Sequence, residues 1–187
     1  MPKVYILGHK YNKEVTWLAR LILAFTKNGY FHTSLFIEYS KGEAYQLNFD
    51  IQRNASINPY PGLEWFKKLQ PEKIVDEEIP MKVTTAQANH ILKWWRDYKK
   101  PYSKRKALIF VLRSCYMPFF RWYYRVMGKP YKSWLDVPER DICATIVDQS
   151  VEECLAFDII EYLSKDKVYP GLLINALKKR RQELKNE

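Results

Sequence analysis

Arg140-Asp141-Ile142-Cys143-Ala144-Thr145-Ile146-Val147 carries a polar turn directly into a helical pattern, with a cysteine in the first turn. Working outward, Asp136 to Asp141 reads as a turn and cap region. The apolar spacing then predicts a helix from about Ile142 to Leu163, with Cys143, Ile146, Val147, Ser150, Val151, Cys154 and Leu155 on its inward stripe. Unpaired backbone N–H groups and the positive end of the helix dipole favour thiolate over thiol at such a position. A merely buried cysteine satisfies the same pattern. A nucleophile needs a base, and the chain offers only His9, His32 and His90.

His32 has the best setting. Phe31 to Tyr39 alternates as a strand, with His32, Ser34, Phe36 and Glu38 on one face, and Ser40-Lys41-Gly42 makes a tight connection. Glu43 to Phe49 alternates again and puts Ala44, Gln46 and Asn48 on one face. An antiparallel return therefore brings an amide beside His32, which fixes the tautomer and orientation a catalytic imidazole needs. Gln46, Asn48 and Glu38 are the candidates for that partner, and the alternation leaves the choice among them open. A histidine on a half-exposed sheet face is the competing reading.

Before this hairpin, Lys3 to Gly8 reads as a buried strand stopped by glycine, and His9 falls in a polar break as a solvated loop residue. Val15, Leu18, Ala19, Ile22, Leu23 and Phe25 form a helical stripe between an Asn12 cap and an Asn28-Gly29 stop. After it, Ile51 to Leu69 is rich in Asn and Pro and reads as a loop with a helical turn at Leu63 to Leu69. Lys73 to Pro80 reads as an edge strand, given its charges and terminal proline. Thr84 or Thr85 caps a helix through Tyr98 with Ala88, Ile91, Leu92 and Trp95 on one face, and His90 lies towards its polar side.

Ala107 to Met127 is the most apolar and aromatic part of the chain, flanked by Lys104, Arg105, Lys106, Lys129 and Lys132. It suits a pair of core helices broken at Pro118, a lid beside the site, or a membrane interface, where aromatic and basic residues are both favoured. Aromatics interleaved with basic residues also stack on single-stranded nucleic acid, but no recognised motif accompanies them, so no specific nucleic-acid partner is expected. Tyr169-Pro170-Gly171 opens a last helix that ends in a basic tail.

The bulk properties set limits. A chain of 187 residues suits one domain, here read as residues 1–187 with 104–135 as a helical insertion. The net charge of +10 favours anionic partners without choosing among them. Cys115, Cys143 and Cys154 are an odd set without metal-ligand spacing, so neither a disulfide framework nor a metal is expected. No secretory pattern opens the chain, and no run reaches the ~18–20 apolar residues of a spanning helix. The expectation is a cytoplasmic protein, at most peripheral to a membrane.

In this order the pieces resemble a circularly permuted member of the NlpC-like, papain-fold cysteine hydrolases, which include relatives of lecithin retinol acyltransferase. The resemblance rests on four features: Tyr30-Phe31-His32-Thr33-Ser34-Leu35, Tyr45-Gln46, Lys99-Lys100-Pro101-Tyr102 as the family's "GKPY" breaker, and Asp141-Ile142-Cys143-Ala144-Thr145-Ile146-Val147 as its cysteine helix. Ala144 stands where the family carries serine, and Lys99 where it carries glycine. The resemblance implies an α+β papain-like fold, with a small antiparallel sheet packed against helices. It further implies a cofactor-free hydrolase in which Cys143 attacks a carbonyl, His32 takes the thiol proton and Gln46 holds the imidazole. The substrate class it implies is an amide: peptide, isopeptide or cell-wall peptide. Two alternatives stand beside this, a lipid-directed thioesterase or acyltransferase using 104–132 as a membrane face, and a binding protein that keeps the fold without the activity.

Overall fold

The computed structural model describes residues 1–11, 29–40, 42–50, 54–69, 73–102, 125–128, 143–155 and 170–186. The expected helix over Val15 to Phe25, nearly all of the aromatic segment, the turn before Ile142 and the helix beyond Leu155 lie outside them.

The described residues form an α+β arrangement of five strands and four helices. In chain order these are β1 (Lys3–Tyr11), β2 (His32–Glu38), β3 (Ala44–Asp50), β4 (Asn54–Tyr60), α1 (Leu63–Lys68), β5 (Lys73–Lys82), α2 (Thr85–Asp97), α3 (Cys143–Leu155) and α4 (Pro170–Asn186). The strands make one antiparallel sheet in the order β4-β3-β2-β1-β5.

Strand alternation gives the sheet two faces. Val4, Ile6, Leu35, Ile37, Leu47 and Phe49 share the larger core with Ala88, Ile91 and Trp95 of α2, Ile146, Val147 and Val151 of α3, and Leu173, Ile174 and Leu177 of α4. Leu7, Phe36 and Ala44 point the other way and pack with Leu63 and Phe66 of α1. Each face carries large side chains that are almost wholly buried, among them Trp95 and Phe49 on one and Phe36 and Phe66 on the other. At roughly 1.5–3 kcal/mol for each fully buried large apolar side chain, both faces contribute to stability.

The hairpin of β2 and β3 and the edge position of β5 are as expected from alternation and charge. Helix α2 starts at a capping box: Thr84 Oγ1 accepts from Gln87 N at 3.2 Å, and Gln87 Oε1 accepts from Thr84 N at 2.9 Å. Thr84→Ala is expected to cost about 1 kcal/mol, seen as a lower urea midpoint with an unchanged m-value.

Two segments differ from the sequence reading. Strand β1 does not stop at Gly8; it continues to Tyr11. The glycine serves close packing, because a Cβ there would lie 3.0 Å from the Tyr30 ring. The ladder to β5 shifts just after it, from Gly8↔Glu77 to His9↔Val75, which leaves Asp76 as the extra residue of a bulge. Its carboxylate accepts from Tyr30 Oη at 2.9 Å and pairs with Lys10 at 2.7 Å.

The stretch read as a loop after Ile51 contains β4. Its Asn and Pro content is tolerated because β4 is an edge strand, where Pro59 need not donate to a neighbour. Asn54, at φ 55°, begins it in the left-handed region that asparagine enters more readily than most residues.

Candidate active site at the end of the sheet

His32 opens β2 and is buried, directly opposite His9 of β1 in the ladder. The rings lie 5.2 Å apart, Phe31 stacks on His32 at 6.2 Å, and Phe66 of α1 meets His9 edge-on at 6.4 Å. His9 Nε2 and Ser34 Oγ form a 2.8 Å hydrogen bond. The two histidines and Ser34 therefore form a buried polar group on the α1 face of the sheet.

The amide that meets His32 is that of Asn48, whose Oδ1 lies 2.6 Å from His32 Nε2. Gln46, the residue expected there, pairs with Phe36 in the ladder, four residues beyond His32. Continuing that register puts Asn48 opposite Ser34 and within diagonal reach of His32. Glu38, the other alternative, lies at the far end of β2, where its carboxylate accepts from Leu63 N at 3.4 Å.

The chain of bonds assigns the imidazole tautomer. Asn48 Nδ2 donates to Asp50 Oδ2 at 2.7 Å, which turns Oδ1 of the amide towards His32. An amide oxygen only accepts, so His32 Nε2 carries the proton. In the neutral ring Nδ1 is then the basic nitrogen.

Cys143 is the first described residue of α3, where the sequence put it, and is almost fully buried. Its thiol lies against Thr33, next in sequence to His32, where the nearby N–H groups of Thr33 and Ala144 favour the charged form, while the Thr33 hydroxyl oxygen is buried without a hydrogen-bond partner. These donors favour thiolate, but burial outweighs them and pushes the thiol up to about 11. Burial thus opposes the preference for thiolate that the helix start supplies. Alkylation of Cys143 by iodoacetamide should be slow at neutral pH and rise steeply as the pH approaches 11. Mass spectrometry of the Cys143 peptide reads this, and a plateau by pH 8 would contradict it.

The thiol and the imidazole thus come within one residue of each other along β2. Thr33 faces α3 and His32 the α1 side, and among the described residues no hydrogen bond joins Cys143 to His32. Tyr102 completes the neighbourhood: burial, then the nearby Cys143 and Asp50, push its hydroxyl well above the usual range for tyrosine. Its ring packs on Phe49 at 5.3 Å. Cys154 lies further along α3, its thiol also pushed up to about 11, by burial and then by Glu153. His90 is exposed on α2. Cys115 lies outside the described residues.

Sequence reading passed over His9 and Ser34. The signal available was the two-residue period of Tyr5, Leu7 and His9, which continues past the glycine.

Compared with known protein families, curated proteins and solved structures, the chain matches none. Among the described residues, no helix is long and apolar enough to cross a membrane. No group of three or more His, Cys, Asp or Glu side chains there is placed to hold a metal ion.

Proposed function

We propose that the protein is a cysteine-dependent acyl-transfer enzyme of circularly permuted papain-like type that hydrolyses an amide bond. The observation that carries this reading is the Asp50–Asn48–His32 chain, which puts the Nε2 proton on the Asn48 side and makes Nδ1 the basic nitrogen of the ring, on the strand whose next residue, Thr33, meets Cys143. The order of parts also supports it: a strand with histidine, a strand with its amide partner, then a helix opening at cysteine.

The raised thiol favours general-base attack from a neutral pair over a standing thiolate–imidazolium pair. As substrate enters, His32 Nδ1 takes the Cys143 proton while Sγ bonds to the carbonyl carbon. The helix-terminal N–H of Ala144, which already points at the thiol, stabilises the oxyanion as charge develops. The proton passes to the leaving amine, the C–N bond breaks, and water hydrolyses the thioester. In the structure Cys143 and His32 face opposite sides of β2, so the reading requires the thiol and the imidazole to come together when substrate binds.

Burial of Cys143 favours a second reading, a binding protein with an inert thiol. Acetylation by p-nitrophenyl acetate at neutral pH separates the two. The enzyme reading expects a rapid release of nitrophenol and an acetyl group on Cys143, both lost in Cys143→Ala. Release that survives in this variant, or no acetyl group on Cys143, favours the inert protein.

A further inference from the structure

A second site lies on the other side of Tyr102. The start of β4 and the last turn of α2 enclose a cleft of about 380 Å³, lined by Asn54, Ala55, Ile57, Trp95, Arg96, Tyr98, Lys99 and Lys100. That volume falls in the range of about 300–1,000 Å³ usual for small-molecule sites. Among the described lining residues, three side chains are cations and none is a carboxylate. Burying them in a protein-only contact would bring like charges together, so an anion is the complement this wall lacks.

Among the neutral groups, Asn54 adds a donor. Trp95 lines the cleft with a ring that is 2% exposed, and its indole N–H is buried without an acceptor and is not open to the cleft. Asn54 Oδ1 accepts from Tyr102 N at 3.0 Å, which commits the acceptor end of that amide and leaves Nδ2 to donate. Guanidinium, ammonium and amide N–H groups therefore dominate the polar wall, beside the Tyr98 hydroxyl. The matching ligand accepts from every side and carries more than one negative charge.

We propose that this cleft binds a phosphoryl group, with Arg96, Lys99 and Lys100 supplying charge and Asn54 a neutral donor. The proposal stands apart from the cysteine chemistry, since none of these residues belongs to the Asp50–Asn48–His32 chain. Asn54 nonetheless connects the cleft, through Tyr102, to the surroundings of Cys143. A phosphorylated ligand held here would lie beside the candidate active site.

The test uses the full chain and inorganic phosphate at constant ionic strength, followed through the Trp95 indole N–H resonance, assigned with Trp95→Phe. A second arm measures co-sedimentation with phosphatidylcholine vesicles with and without phosphatidate. The expected result is a saturable shift with phosphate and none with chloride. Affinity should fall about tenfold or more in the Arg96→Gln, Lys99→Gln, Lys100→Gln variant, since charge-assisted contacts to phosphate are lost. These three side chains are exposed, so the variant should keep the far-UV spectrum of the parent. Vesicle binding that needs both phosphatidate and the three cations assigns the group to a lipid headgroup. Phosphate binding without vesicle binding assigns it to a soluble ligand. Absence of both, or binding undiminished in the variant, overturns the proposal, and neither outcome bears on acetylation of Cys143.

Discussion

Replacing His32 with glutamine is expected to slow acyl transfer from p-nitrophenyl acetate to Cys143 by about 10²–10⁴-fold, the usual contribution of a positioned general base. Glutamine suits the test because its Nε2 donates to Asn48 Oδ1 as the imidazole does, so the buried amide keeps a partner. A loss of rate with an unchanged urea midpoint would then report proton transfer and not folding. An unchanged rate would remove His32 from the mechanism.

Asn48→Ala should behave differently. It leaves Nε2–H of His32 without its acceptor, which costs about 1–3 kcal/mol of stability in a buried setting. It also frees the ring to carry its proton on Nδ1, where it can no longer act as the base. The variant's acid limb is the discriminating readout. If Asn48 and Asp50 hold the tautomer, the pH dependence of acetylation changes along with the rate; if Asn48 only packs, the rate scales with folded protein and the profile keeps its shape. The role belongs to a positioning residue, since Asn48 acts through His32.

The elements legible in the sequence were those with an alternation of side-chain type or a cap. Alternation from Phe31 to Tyr39 and from Glu43 to Phe49 marked β2 and β3, and Thr84 or Thr85 marked the start of α2. Of the candidate site, the amide beside His32 was legible to the level of residue type, as was the placing of Cys143 at the start of a helix. The choice of Asn48 over Gln46 was not, because both share a face and only the ladder register, set by tertiary packing, separates them. His9 was missed for a related reason. Gly8 suggested a chain break, whereas it is the close approach of Tyr30 that requires a residue without a side chain. Strand β4 was hidden because asparagine and proline disfavour central strands and are tolerated at an edge, and edge position is a property of the assembled sheet. The thiol's state was not legible either. A helix start lowers and burial raises its proton affinity, and the sequence names the first without measuring the second.

That last balance leads to the largest expected change in stability. Phe49 has no exposed surface, meets Tyr98 edge-on at 5.6 Å and packs on Tyr102 at 5.3 Å. Phe49→Ala should cost about 3–5 kcal/mol, the usual loss when a buried aromatic is truncated, out of the roughly 5–15 kcal/mol that holds a typical domain together. Phe66→Ala, on the opposite face and equally buried, should cost a similar amount by the same cause. The two should part company at Cys143. Removing Phe49 takes away the support of Tyr102, which lies beside the thiol, so water gains access and the desolvation that raises the thiol weakens. Alkylation of Cys143 near neutral pH should therefore accelerate in Phe49→Ala beyond what its fraction of unfolded protein explains, and in Phe66→Ala only in proportion to that fraction. Equal acceleration in the two variants, after correction for unfolding measured in urea, would mean that global opening and not local burial governs the thiol. The burial that raises the Cys143 thiol would then be a property of the whole core, and the link from Tyr102 to Cys143 would fall.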